Sequence, residues 1–357
     1  MRHGLVKLWL KPSGASLGPV SLAPLHHPTT LENAWRGPRL RGGHLLWPVE
    51  RTRFNRDDSG HSSLGLRFAC VCLALVAAHA AVPLRLWSQG KPSAPTTPRL
   101  YVLDCGMLTP NTEGVERYHV STAEVGETRM PVPCFLVAHP KGTLIWDVGV
   151  IPDAIVEAQP QGAKAAVNPT VAAFVQRTLK GQLAAVGYSP ADVTHVATSH
   201  AHIDHTANLN MFAGSTWLTT RAERDFMWAE NNPRVTPTFF DALRNSPRVS
   251  FIDTDEHDVF GDGRVVIKAA AGHTPGHQVL VLDLVSTGRV MIAGDLYHYP
   301  PERTLRRPPP DNEFNVAQSA ASRARIEQYL KATKTALWIE HDFATIAKLK
   351  KPPAFYD

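Results

Sequence analysis

The chain has 357 residues, 43% of them hydrophobic and 19% charged, the proportions of a globular protein with room for one large domain or two small ones. Its formal net charge is +5, but residues 1–98 hold 12 Lys/Arg against 4 Asp/Glu, which leaves 25 against 28 in the rest. The basic excess is confined to the leading segment, so net charge gives no support to nucleic-acid binding by the body.

Residues 1–66 are rich in Pro, Gly, Arg and His and show no sustained helical or strand period. They read as a disordered leader, or as upstream sequence that does not belong to the mature protein. Residues 67–81, RFACVCLALVAAHAA, combine one Arg, an apolar run from Phe68 to Ala78 and small residues around His79. That is the layout of a secretory signal peptide cleaved near Ala80 or Ala81, and it is short for a membrane span. It predicts a periplasmic or secreted protein, tethered to a membrane only if the 68–80 segment stays uncleaved; a cytoplasmic protein is the alternative. A start site assigned too far upstream explains why the segment is not N-terminal. Cys70 and Cys72 lie in the apolar run, leaving Cys105 and Cys134 to pair in an oxidising compartment or to stay as buried thiols.

Residues 82–98 read as a linker, Pro/Ser/Thr-rich at its end, and a folded body is expected over 99–357. LYVLDCG (100–106) predicts a first strand, and Cys134–His139 and Thr143–Asp147 two more joined by a turn at Pro140-Lys141-Gly142. A helix is expected over Thr170–Ala185, with Asn168 as N-cap, Pro169 just inside and Gly187 as its stop. The strand Val193–Ser199 and a helix over Arg221–Glu230 follow. Strands are then expected at 264–273, 277–285 and 288–295, a helix at Val316–Ala332 and a strand at Ala336–Glu340. Strands followed by helices in each of two halves suit an α/β architecture with two sheets packed between helices.

HAHIDH (200–205) packs three histidines and an aspartate into six positions. In an extended turn His200 and His202 point to one side and reach one ion; Asp204 and His205 diverge as the chain bends, which suits a second. His273, Asp295 and His341 each follow an expected strand end, where loops build sites. They supply a third ligand for the first ion, a carboxylate between the two, and a further ligand for the second. Two divalent ions, two carboxylates and a bridging hydroxide leave about one positive charge, a Lewis acid suited to hydrolysis.

H-x-H-x-D-H at 200–205, LIWDVG (144–149) with Asp147 and Gly149, GHTPGHQ (272–278), AGD (293–295) and His341 resemble the metallo-β-lactamase superfamily over about residues 99–350. HTPGHQ and LYVLDCG look most like its N-acyl-homoserine lactonases. The resemblance implies a four-layer αβ/βα sandwich and two metal ions, zinc, held by His200, His202, Asp204, His205, His273, Asp295 and His341. It further implies that a metal-bridging hydroxide attacks a lactone, with Asp204 returning a proton to the leaving alkoxide. Those lactonases have a substrate-contacting Tyr three residues after the bridging Asp; here GDLYHY puts His298 there, flanked by Tyr297 and Tyr299. A tyrosine, Tyr297 or Tyr299, is expected ahead of His298 as the carbonyl partner.

His277 is expected to support His273 by hydrogen bonding, Asp147 to brace a ligand or fix its loop, and His195 to sit in a strand away from the site. Phe212, Phe226, Trp228, Phe239 and Phe240 read as core, any of them able to line an acyl pocket. The loop 303–314 reads as a solvated loop or as a rim over the site. Other substrates for the same centre are an aryl ester, an organophosphate or a β-lactam; a nuclease of the same fold is disfavoured by the acidic body. The expected partner is a small lactone or ester, with no nucleic acid and with homodimerisation allowed.

Overall fold

The protein is described by a computed structural model over residues 92–357. The expected leader, signal-like segment and most of the linker lie outside the described residues. Among the described residues thirteen strands form two sheets. The first holds β1 (Arg99–Pro110), β2 (Met130–His139), β3 (Gly142–Trp146), β4 (Ala163–Asn168), β5 (Val171–Val175), β6 (His195–Ala197), β7 (Thr216–Thr219) and β8 (Val249–Phe251). Its spatial order is β4-β5-β1-β2-β3-β6-β7-β8. The second holds β9 (Glu256–Asp258), β10 (Val265–Ala269), β11 (Gln278–Leu284), β12 (Gly288–Ile292) and β13 (Ala336–Trp338), in the order β13-β12-β11-β10-β9.

Period-two alternation explains why the sheets stack. Leu100 and Val102 of β1, with Phe135 and Val137 of β2, pack against Val265, Ile267, Leu280, Leu282 and Ile292 of the second sheet. The intervening Tyr101, Leu103, Cys105, Cys134 and Leu136 face a separate core. Helix Leu179–Ala185 buries Leu179 and Leu183 into that outer core. Helix Val316–Thr333 presents Ile326 and Leu330 to the outer face of the second sheet. Helix, sheet, sheet and helix make the four layers of a metallo-β-lactamase fold. Cys105 and Cys134 are joined by a disulfide, fastening β1 to β2. Among the described residues no helix is long and apolar enough to cross a membrane.

The expected helix over Thr170–Ala185 is corrected in its first half. Asn168-Pro169-Thr170 turns a hairpin, and Val171–Val175 is a strand whose Met107–Pro110 partners lie on β1. The alternation of buried Val171, Ala173 and Val175 with more exposed Ala172 and Phe174 is a strand pattern. The helix itself runs Leu179–Ala185 from the N-cap Thr178. β7, β8 and β9 were not anticipated; they have three or four residues each, too short for a clear periodic signal.

Candidate metal centre

Strand direction places the site. β13 is parallel to β12, while β11 is antiparallel to both β12 and β10. β10, β12 and β13 therefore run the same way, and the segments after them meet at one edge of the second sheet. These segments carry His273, Asp295 and His341. In the first sheet β3 and β6 are parallel, and the segments after them carry Asp147 and His200. Both sheets thus deliver their strand ends to one place, the usual position for a site in an open sheet scaffold.

The seven expected ligands come together in two groups. His200, His202, His273 and Asp295 offer ligand atoms within 4.8 Å of one another, and so do Asp204, His205 and His341. In the first group His202 Nδ1 lies 2.9 Å from His200 Nε2 and 3.0 Å from His273 Nε2. Asp295 stands between the groups: Oδ2 lies 3.2 Å from His273 Nε2 and 3.5 Å from His200 Nε2. Its other oxygen, Oδ1, lies 3.1 Å from His341 Nε2 and 3.2 Å from His205 Nε2. Asp204 Oδ2 is 3.5 Å from both His205 Nε2 and His341 Nε2.

The donor set fits divalent ions. His205 Nε2 and Asp295 Oδ1 are buried and lack hydrogen-bond partners, a cost that binding an ion would remove. Burial keeps His200 and His202 well below the usual imidazole range, so each has a lone pair to give. Burial also opposes charge on His273, but Glu313 and Asp295 outweigh it and push the group up to about 10. Five imidazoles with carboxylates suit a borderline ion such as zinc.

Surrounding groups fix the ligands. Asp147 accepts from Ser199 N through Oδ1 at 2.6 Å, and its Oδ2 lies 2.9 Å from His205 Nδ1. It holds a left-handed backbone, φ 55°, directly after β3. Asp147 therefore sets the His205 ring and the entry to the HAHIDH turn together. His277 differs from expectation: its Nε2 accepts from Asp295 N at 2.9 Å, and Nδ1 pairs with Ala270 O at 3.0 Å. It positions the carboxylate segment, and burial beside His273 holds it down to about 3, a neutral acceptor.

Several buried acids were not singled out from the sequence. Glu223 accepts from Ala201 N at 2.7 Å and from Thr274 Oγ1 and Gly276 N, each at 2.8 Å, which ties the HAHIDH turn to the HTPGH turn. Gly276 is required here, because a Cβ would run into Thr220 and Glu223. Glu313 Oε1 lies 3.2 Å from His273 Nδ1, and Ser319 donates to its other oxygen at 2.7 Å. Glu340, beside His341, accepts from Gly294 N at 2.8 Å and forms a third buried group with Asp147 and His205. Glu223 sits in a capped helix start, where Thr220 Oγ1 accepts from its backbone N–H; that local reading hides its tertiary role. The signals for the others were position alone: Glu313 in the rim loop, Glu340 next to a ligand.

The expectation of a tyrosine at the carbonyl is corrected. Tyr297 donates to Glu327 at 3.2 Å under the Arg323 guanidinium, and Tyr299 donates to Thr128 O at 2.7 Å. Neither borders the cavity. His298 does: its Nε2 lies 3.0 Å from Asp295 Oδ2, and its ring lies tilted against that of Tyr118 with centroids 4.0 Å apart. The cause is Glu302, which accepts from both His298 N and Tyr299 N and is held by Arg323 at 2.8 Å. This buried pair fixes the turn with His298 inward.

A cavity of about 300 Å³ opens over the cluster, bordered by His202, Asp204, His273, Asp295 and His341. Leu108, Met130, Val167, Val171 and Ile203 give it an apolar side, and Pro310, Asn312 and Glu313 of the rim loop close another. Phe212, Phe226, Trp228, Phe239 and Phe240 do not line it; they pack in or against the outer core. His195 begins β6, away from the cluster, in edge contact with Phe260.

Comparisons with known proteins agree with this geometry. Residues 128–333 match the model of the metallo-beta-lactamase superfamily. The N-acyl homoserine lactonase AttM of Azorhizobium caulinodans is 28% identical over 273 residues, spanning 72% of this chain and 98% of that protein. An N-acyl homoserine lactonase from a Bacillus species is 24% identical, over 69% of this chain and 94% of its own. The solved structure of an N-acyl homoserine lactone hydrolase, with its product at a catalytic metal centre, superposes with a TM-score of 0.61 at 20% identity. It covers 73% of this chain and all of that one. The family match spans more than half of the sequence, and the chain belongs to the metallo-β-lactamase superfamily.

Proposed function

We propose that the protein is a metal-dependent lactonase that opens the ring of an N-acyl-homoserine lactone or a similar cyclic ester. The observation that carries this reading is Asp295, whose two oxygens each face a separate histidine group beneath a partly apolar cavity. The lactonase relatives, one of them described as a dizinc enzyme, support the same chemistry and ion. His200, His202 and His273 would hold one ion, Asp204, His205 and His341 a second, with Asp295 between. Bound there, two divalent ions supply Lewis acidity and lower the pKa of a water to about 7.

The chain's own groups do the rest. The apolar side formed by Leu108, Met130, Val167 and Val171 receives the acyl chain. His298, inward and bonded to Asp295, faces the substrate carbonyl in place of a tyrosine. Water adds to the acyl carbon and the ring C–O bond breaks. Asp204, bordering the cavity, passes the proton lost by the water to the leaving alkoxide, giving a hydroxy-carboxylate.

The test is a substrate panel on the metal-loaded enzyme. Ring opening of acyl-homoserine lactones should exceed hydrolysis of β-lactams, aryl esters and organophosphates by orders of magnitude. A β-lactam or organophosphate turned over faster than any lactone overturns the assignment. We also propose a folded domain over 99–357 and export to an oxidising compartment, which the Cys105–Cys134 disulfide supports. N-terminal sequencing of the cell-derived protein should find a start just after Ala80 or Ala81; a start upstream of residue 67 contradicts export by this segment.

A further inference from the structure

We infer that the preferred substrate is a lactone or ester whose acyl chain ends in a carboxylate, held by the guanidinium groups of Arg117 and Arg234. The inference rests on the hydrolase reading above and adds its substrate class.

Arg117 and Arg234 are the cationic side chains, histidines aside, that border the cavity. Its three carboxylates are already engaged: Asp204 with His205 and His341, Asp295 with the histidines on both sides, Glu313 with His273 and Ser319. Neither arginine has an ion-pair partner among the described residues, although Arg129, Arg221, Arg303, Arg307 and Arg323 each have one. Both are half-buried. Arg117 donates to the Thr170 hydroxyl, while its Nε is buried without a partner. A half-buried guanidinium with no ion-pair partner gains from an entering carboxylate, which offers it a charge-assisted, often bidentate contact.

Both side chains also stand on fixed bases. Arg117 caps the helix Thr112–Glu116 and is tied through Thr170 to the β4–β5 turn. Arg234 N donates to Asn232 Oδ1 at 3.1 Å, and Asn232 in turn donates to Phe226 O at 2.9 Å. The Leu108, Met130, Val167 and Val171 side of the same cavity would take the aliphatic spacer between the lactone and the anion. A wholly apolar acyl chain would use that side and leave two guanidinium groups uncompensated.

The test pairs N-adipoyl-homoserine lactone with its terminal carboxamide, which differ in charge and hardly in size. The metal-loaded wild type should show a KM about tenfold lower for the carboxylate at similar kcat, a gap that narrows in 0.5 M NaCl (about a 4 Å screening length). R234A and R117A should close most of the gap by raising KM for the carboxylate, and R234K should retain part of it. Unfolding midpoints of the variants show whether the change is one of recognition. Equal KM values for the two lactones overturn the inference and leave the lactonase reading standing. If neither lactone opens, the lactonase reading fails and the inference falls with it.

Discussion

The cage of metal ligands and the walls of the cavity above it are built differently. The cage comes from four strand ends, is buried, and has its ligands or their loops fixed from behind by Asp147, Glu223, His277 and Glu313. The walls come from the helix after β1, the β4–β5 hairpin, the 232–236 stretch and the 310–313 loop, and there the polar groups include unpaired arginines. On the proposed function, reaction type would reside in the cage and substrate choice in the walls.

Breaking the cage should have the largest effect. D295A removes the one carboxylate common to both histidine groups, and lactone opening should fall by about a thousandfold or more. Elemental analysis of the purified variant should show less than one ion per chain. E223A would leave Ala201 N, Gly276 N and the Thr274 hydroxyl without their acceptor. Denaturant unfolding of the metal-free protein should show a loss of about 3 kcal/mol; an unchanged midpoint would show that Glu223 does not join the two turns. D147N keeps the shape but loses the charge that orients His205, and metal affinity should drop by about 10- to 100-fold, measured by competition with a chelator.

The walls should respond more gently. Y297F and Y299F remove hydroxyls bonded to Glu327 and Thr128, outside the cavity, and kcat/KM should change by less than about threefold, a small fraction of one hydrogen bond to a reacting group. H298A, by contrast, should lower kcat/KM by about tenfold or more. A large loss in Y297F with none in H298A would restore the tyrosine that the sequence favours and contradict the observed turn.

The cage was legible in the sequence because its chemistry is dense and local. HAHIDH places four candidate ligands within one turn, and His273, Asp295 and His341 lie three or four residues beyond the ends of β10, β12 and β13, where strand periodicity stops. The acids behind it were not legible. Glu223 reads as an ordinary first-turn acid of a capped helix, and its three acceptor contacts depend on turns that sequence cannot bring together. The inward face of GDLYHY is not legible for a related reason: the Glu302–Arg323 pair that orients it spans 21 positions. β5 falls inside the helix expected over Thr170–Ala185 because Asn168-Pro169 serves equally as a helix start and as a tight turn. Its strand identity comes from pairing with β1, a tertiary contact.

Metal titration of the stripped protein tests the central claim most directly. Lactone-opening activity should be absent after chelation and should rise with added zinc to a plateau at two ions per chain, with D295A failing to recover. Full activity in protein shown by elemental analysis to be metal-free would contradict the account.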